Sequence, residues 1–259
     1  MGTEFEAGAE ATKEVARTAG KAIDASSGLG RFLARIFGPA LEEYGGQMHD
    51  TARFRRAANL MKLQQRWEQL WIDNGASNGV RPLPFKFAQA LLDAASVEEE
   101  EELQDLFAKL LFNATDTTSQ AETRQAFVSM LHEMNGFDVK VLFALAKAPD
   151  AKPRLSPKRT VYTAKLPDAY IENSEDPDNR LQEPPGPVLV SLNNLARLGC
   201  VVPAGVWDGA ISFGLVTFTP LGQALVAACS IDADRCSSQE KRNKADNEEG
   251  PIDLVIYPD

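Results

Sequence analysis

Residues 84–134 of this chain read PFKFAQALLDAASVEEEEELQDLFAKLLFNATDTTSQAETRQAFVSMLHEM, and the spacing of their apolar residues decides the fold class. Apolar side chains recur every three or four positions in three successive groups, and each group lines one face of a helix. The groups are Ala88, Leu91, Leu92 and Ala95; Leu103, Leu106, Phe107, Leu110, Leu111 and Ala114; and Phe127, Met130, Leu131 and Met134. Three helices of this kind must pack on one another, so the spacing predicts a mainly α protein built on a helical bundle.

Two short polar links separate the three helices. Ser96 with Glu99, and Ser119 with Glu122, fit the pattern S-x-x-E. In that pattern the hydroxyl and the carboxylate accept hydrogen bonds from backbone N–H groups at a helix start. The sequence therefore predicts that the second and third helices begin near these serines.

Composition and charge limit the classes of protein to which the chain can belong. Its 259 residues, 44% hydrophobic and 25% charged, suit a soluble globular protein of one or two domains. A net charge of -10 disfavours nucleic acid as a partner unless a local basic patch exists. Cys200, Cys229 and Cys236 show no C-x-x-C spacing, so we expect neither a disulfide framework nor a zinc site. With no secretory or membrane-spanning apolar stretch, the predicted location is the cytoplasm.

Residues 1–46 are predicted to form N-terminal helices that are mobile or dock on a partner. A dense apolar stripe flanked by arginines makes the second of these helices the candidate for membrane or partner contact. A basic amphipathic helix suits the boundary of a bilayer, which would place the protein peripherally at the inner membrane face. An ordinary core helix is the favoured alternative, because Glu42 and Glu43 would repel anionic lipid. The stripe consists of Leu29, Phe32, Leu33, Ile36 and Phe37.

Residues 47–135 are predicted to form a central helical domain, which opens with a long helix from Gln47 to about Asn74. This helix carries a dense basic face, a candidate surface for anions or nucleic acid. The favoured alternative is a solvated face that pairs with the acidic run Glu98 to Glu102, which itself suits a helix start. The basic residues are Arg53, Arg55, Arg56, Lys62 and Arg66.

Residues 136–229 are predicted to form a second domain. Phe137 to Lys147 is apolar on nearly all sides, which indicates a buried helix that joins the bundle to the C-terminal part of the chain. Residues 149–187 hold eight of the fifteen prolines, so we expect an extended insertion with one edge strand near Thr160 to Leu166. Residues 230–259 are predicted to be a polar tail with a short terminal strand.

The end of this second domain alternates helices and strands. Val188 to Leu198 is predicted to be a helix that ends at Gly199, and Thr219 with Pro220 is predicted to start another. Two β runs, Cys200 to Val202 and Ile211 to Phe218, lie between them and predict a small hairpin.

The order of elements, with "NLARLGCVV" and "FTPLGQAL", resembles the second half of a winged-helix domain. Winged helices that read DNA carry cations on the helix before the hairpin and on the wing. Here that helix has only Arg197 and the wing holds Asp208, which favours protein contact over DNA binding.

No catalytic pattern stands out in the sequence. The two histidines lie apart, and no metalloprotease, Walker A or nucleophile-elbow motif occurs. We therefore expect a protein that is not an enzyme and needs no cofactor or metal. A hydrolase with a carboxylate-bound metal, involving Glu99 or Asp105, remains the alternative.

Three stretches together resemble the abortive infection alpha (Abi-alpha) family: residues 38–60, residues 81–116 and residues 124–145. The matching positions are Gly38, Pro39, Asp50, Arg56, Lys86, Ala95, Ser96 and Leu103 to Ala114, with Phe107 where the family usually has Trp. The resemblance implies a role in bacteriophage defence or another cell-suicide response. It carries over no catalytic residue and implies no mechanism.

Two hypotheses of function lead. The first is a defence protein that acts without catalysis, through contact with a protein partner, with a second copy of itself or with a membrane. The second is a winged-helix regulator that binds DNA, for which the face from Arg53 to Arg66 would supply the charge.

Overall fold

The computed structural model describes residues 28–37, 53–74, 79–151, 159–171, 182–207 and 210–231. Predictions for residues 1–27, for the start of the long helix at Gln47, for the turn at 208–209 and for the tail from residue 232 lie outside these ranges.

The described residues form eight helices and one three-stranded antiparallel sheet, which confirms the predicted mainly α fold class. The helices are α1 (Gly28–Phe37), α2 (Arg53–Asp73), α3 (Phe85–Val97), α4 (Glu101–Thr115), α5 (Gln125–His132), α6 (Gly136–Lys147), α7 (Gly186–Arg197) and α8 (Pro220–Ala228). The strands are β1 (Thr160–Tyr162), β2 (Val201–Trp207) and β3 (Ala210–Phe218).

The bundle is organised around α2, which packs on α1, α3 and α4, while α5 packs on α3 and α4. Every residue of the three stripes in residues 84–134 is buried in one continuous hydrophobic core. The apolar spacing therefore predicted correctly which side of each helix faces inward. Burial of stripes of this kind is the main favourable contribution to the stability of a bundle.

The predicted helix starts at Ser96 and Ser119 are wrong. Ser96 lies in the last turn of α3, where its hydroxyl donates to the carbonyl of Asp93 at 2.7 Å. The helix α4 begins only at Glu101, after the carboxylate of Glu98 has accepted hydrogen bonds from the next two backbone N–H groups. Ser119 lies in a loop, and α5 begins six residues later.

The helix α6 joins the bundle to the C-terminal elements, as its apolar pattern predicted, since it packs on α4, α7 and α8. It begins with a capping box in which the Asn135 side chain accepts from the backbone N–H of Asp138, and the Asp138 carboxylate accepts from that of Asn135. A second link runs from the bundle to the end of α8. The Asn113 amide donates to the carbonyls of Ala228 and Ser230, both at 2.8 Å.

The sheet has the strand order β1-β3-β2. The predicted edge strand is confirmed as β1, which pairs with β3 from Thr160 opposite Thr217 to Tyr162 opposite Leu215. The predicted hairpin is confirmed by β2 and β3, with an irregularity in β2 between Pro203 and Gly205. Val161, Val216 and Phe218 of the sheet join the main core. Ala151, Tyr162 and Ile171 of the insertion form a small second cluster with Leu215 of β3.

The ends of α7 and α8 follow the predicted local rules. After α7, Gly199 has a φ of 78°, and the N–H groups of Gly199 and Cys200 donate to the carbonyls of Ala196 and Leu195. This pair of bonds satisfies carbonyls at the helix end, and glycine adopts the left-handed backbone there without strain. At α8, the Thr219 hydroxyl accepts from the N–H of Gly222 at 3.0 Å.

The core is continuous from α1 to α8, so both predicted domains contribute side chains to it. The division at residue 135 stays a prediction.

Candidate functional site

The apolar stripe of α1 was the sequence-based candidate for membrane or partner contact. All five of its side chains are buried, none more than 3% exposed. Phe32 contacts the ring of Trp67 edge to face at 5.4 Å, and Phe37 lies 5.7 Å from the ring of Phe85. In this conformation the face belongs to the core and is not available to a membrane or a partner. No helix within the described ranges is both long enough and apolar enough to cross a bilayer.

The basic face of α2 lies opposite the acidic start of α4. Arg66 pairs with Glu101 and, through Nε, with Asp105 at 2.5 Å. Two weaker pairs join Lys62 to Glu101 at 3.5 Å and Arg55 to Glu99 at 3.6 Å. Arg56 is exposed, and the side chain of Arg53 lies outside the described residues.

These pairs change the charge that the basic face presents. The Arg66 guanidinium, helped by Lys62, holds the pKa of the Glu101 carboxyl below its ordinary value of 4.5. Glu101 therefore stays ionised at neutral pH and offsets the charge of both cations. A face neutralised in this way attracts phosphates less than its cation count in the sequence indicates.

The two carboxylates named for a metal-dependent hydrolase, Glu99 and Asp105, form ion pairs with Arg55 and Arg66. Across the ranges that the structure describes, no group of three or more His, Cys, Asp or Glu side chains is placed to hold a metal ion. Cys200 and Cys229 are free thiols, and burial raises the pKa of each to about 12. Thiols with such pKa values are poor nucleophiles at neutral pH.

The outer face of α7 is the surface that sequence reasoning did not single out. Val190 points into solvent with 71% of its area exposed, among the most exposed large apolar residues described. Arg197, the only cation of α7, already pairs with Glu133 at 2.5 Å and bonds the Asn194 side chain. The sequence carried one indication that Val190 is exposed. It does not belong to the buried stripe of α7, which contains Leu192 and Leu195.

A cleft of about 670 Å³ lies where α1, α2 and the loop before α3 meet. Its lining residues in the described ranges are Arg35, Trp67, Glu68, Trp71, Ile72, Gly79 and Val80. Trp67 is fully buried and donates from Nε1 to the hydroxyl of Thr115 at 3.1 Å. The indole of Trp71 lies 5.7 Å from that of Trp67, and its buried Nε1 has no hydrogen-bond partner among the residues that the structure describes.

An unpaired buried donor costs about 1–3 kcal/mol. Sequence reasoning did not find this cleft, because residues 35, 71 and 80 come together only through packing. The spacing of Trp67 and Trp71, which places both indoles on one side of α2, was the one local indication.

The fold and these surfaces define a mainly helical protein with a small antiparallel sheet, a charge-paired α2 and an exposed Val190 on α7. The family model for "Abortive infection alpha" matches residues 55–229, which is more than half of the chain. The chain therefore belongs to the abortive infection alpha family, and the resemblance found in the sequence is confirmed. Membership indicates, at the level of the family, a role in abortive infection. No curated protein and no solved structure matches the chain.

Proposed function

We propose that this protein acts in abortive infection without catalysis, by binding a protein partner through the outer face of α7. The observation that carries the proposal is the exposure of Val190 on a helix whose only cation, Arg197, is already paired. A partner that covers Val190 would remove its apolar surface from water, which favours association. The cytoplasmic location predicted from the sequence forms part of the proposal.

The arrangement of the C-terminal elements supports α7 as the contact helix. The chain order α6, β1, α7, β2 and β3, with the sheet order β1-β3-β2, supports the resemblance of this part of the chain to the second half of a winged-helix domain. In a winged helix that reads DNA, the helix before the hairpin enters the major groove. In this protein the helix before the hairpin is α7, and its exposed side chains include Val190 and Asn193.

Charge favours a protein over DNA as the partner of this helix. A helix in the major groove gains affinity from unpaired cations beside the phosphates. On α7 the guanidinium of Arg197 is held by Glu133, and the whole chain has a net charge of -10. The basic face of α2, the other candidate for DNA binding, is paired with carboxylates of α4.

Membrane contact through α1 has less support than protein contact through α7. It would require Phe32 and Leu33 to leave the core, where both are at most 2% exposed. The α7 face is already at the surface and needs no such change. A second copy of this chain is one partner that such a face would fit.

The test places a cation at Val190. Cells that produce the wild type, Val190→Lys or Val97→Lys are infected with a panel of phages, and plaque numbers and cell survival are measured. Val97 is the matched control, an exposed apolar residue at the end of α3 with 45% of its area exposed. We expect Val190→Lys to lose protection while the wild type and Val97→Lys retain it.

A gel-shift titration of duplex DNA with the same three proteins separates the two kinds of partner. An added cation strengthens a DNA-binding helix and weakens an apolar protein contact. Tighter DNA binding by Val190→Lys together with retained protection would overturn the proposal in favour of the DNA-binding regulator. Protection that Val190→Lys leaves unchanged would also reject it.

A further inference from the structure

We propose that the cleft between α1, α2 and the loop before α3 binds a small monocarboxylate that carries a compact apolar body. The cleft, about 670 Å³ in volume, falls within the size range of small-molecule pockets. It lies apart from the outer face of α7, so the inference stands independently of the proposed protein contact.

The polar groups of the cleft specify a ligand that accepts hydrogen bonds. Arg35, on the exposed side of α1, forms no ion pair with a described residue. The Nε1 donor of Trp71 is buried and lacks an acceptor within the described ranges. A carboxylate accepts from guanidinium and indole N–H groups alike, and its bonds to a guanidinium are stronger than bonds between neutral groups.

The remaining lining residues specify the body and the charge of the ligand. Trp71, Ile72 and Val80 supply apolar surface, and Ile72 is 71% exposed. Glu68, whose carboxylate accepts from Gln64 at 2.9 Å, adds one negative charge to the lining. A second negative charge on the ligand would be repelled by Glu68, so a monoanion fits better than a phosphate dianion.

The structure also explains why we expect the ligand to shift the indole N–H resonance of Trp71 and not that of Trp67. The Nε1 of Trp67 is already bonded to Thr115, and its ring is only 1% exposed. Trp71 is half-buried, with its ring packed on Trp67 on one side and on Phe112 at 5.0 Å on another. A bound carboxylate would therefore shift the indole N–H resonance of Trp71 more than that of Trp67.

The test is a titration followed by the indole N–H resonances of the full ¹⁵N-labelled chain. The chain has three tryptophans, and Trp71→Phe identifies the resonance of Trp71 by its loss. The probe is 3-phenylpropionate, with 3-phenylpropionamide as its neutral analogue and acetate as a carboxylate without the apolar body. We expect a saturable shift of the Trp71 resonance with 3-phenylpropionate alone.

Two arginine variants make the assignment specific. Arg35→Gln should weaken binding of 3-phenylpropionate by about tenfold or more, because it removes the charge that faces the carboxylate. Arg56→Gln removes an exposed cation of α2 that does not line the cleft, and it should leave the affinity unchanged. The remaining amide resonances report that both variants stay folded.

Three results would overturn the inference. The first is a Trp71 resonance that does not move in a saturable way with 3-phenylpropionate. The second is an equal response to the neutral amide, and the third is an affinity that Arg35→Gln leaves unchanged.

Discussion

The helices α1 and α7 are similar in length and differ in what their apolar residues do. The ten residues of α1 include six that are buried, and its stripe is surrounded by aromatic rings of α2 and α3. The twelve residues of α7 include four that are buried, and the helix leaves Val190 in solvent. The denser stripe thus marks a core helix, and the sparser one leaves one large apolar side chain, Val190, in solvent.

The two helices are also held in different ways. The contacts of α1 with the bundle include the edge-to-face packing of Phe32 on Trp67. The helix α7 adds polar bonds to its apolar contacts, because the Asp138 carboxylate of α6 accepts from the Ser191 hydroxyl and from the Asn194 amide at 2.9 Å. Such directional bonds fix the orientation of α7 and thereby keep Val190 at the surface.

The largest effect on stability is expected from a substitution in α1, where the helix packs against the core. Phe32→Ala should lower the free energy of unfolding by about 3–5 kcal/mol, because it removes a buried ring and leaves a cavity. Arg35→Ala, an exposed change on the same helix, should stay within about 0.5 kcal/mol. Chemical denaturation followed by tryptophan fluorescence measures both. Equal stabilities of the two variants would mean that α1 does not rest in the core in solution.

The next largest effect on stability is expected at Asp138, whose carboxylate holds α7 through hydrogen bonds. Asp138→Ala should cost about 2 kcal/mol, because it leaves the buried Ser191 hydroxyl without its carboxylate acceptor and removes half of the capping box of α6. Asp168→Ala, at an exposed position, is the control. Urea unfolding of both variants gives the comparison. A cost for Asp138→Ala no greater than that for Asp168→Ala would show that apolar packing alone holds α7.

A smaller effect is expected where α2 meets α4 at the surface, and it depends on pH. The pKa of Glu101 is lowered in the folded chain, so its ion pairs stabilise the fold above the ordinary value of 4.5. That stabilisation is lost as the pH falls through the lowered pKa. Arg66→Gln should therefore reduce the melting temperature at pH 7, and this deficit should shrink as the pH is lowered below 4.5.

Lys86 supplies the control for this experiment, because it is exposed and forms no ion pair with any residue in the described ranges. Lys86→Gln should change the melting temperature little at either pH. A deficit of Arg66→Gln that persists undiminished at pH 3 would contradict the ion-pair explanation.

The smallest effect on stability is expected at Val190 itself. Val190→Lys replaces a side chain that is already in solvent, so the free energy of unfolding should change by less than about 0.5 kcal/mol. Thermal and urea unfolding measure this. A large loss of stability would show that Val190 packs on the body of the protein, and the contrast with α1 would disappear.

Local rules in the sequence predicted much of the fold. The stripes from Ala88 to Met134 predicted the inward faces, and the pair Thr219 and Pro220 predicted the start of α8, since each depends on residues a few positions apart. The predicted start at Ser96 failed because a competing local bond was available. The carboxylate of Glu98 occupies the N–H groups before α4, and Ser96 bonds back to α3.

The candidate sites were less predictable than the fold. The pairing of Arg66 with Glu101 was foreseen from charge alone, although the contact joins residues 35 positions apart. The cleft beside Trp71 was not foreseen, because its lining comes from three segments whose approach is set by tertiary packing. The position of Val190 off the buried stripe of α7 was a local indication of its exposure, whereas the bonds from Ser191 and Asn194 to Asp138 depend on tertiary packing.

The bonds from Asn113 to Ala228 and Ser230 also affect how the chain can be made. The partner carbonyl of Ala228 lies 115 residues further along the chain. A ribosome that adds about 5–20 residues per second needs roughly 6–23 s to make that stretch. During this interval α8 does not yet cover its contact surface on α4. A nascent chain therefore exposes that surface to chaperones and to other nascent chains until its own C-terminal helix has been synthesised.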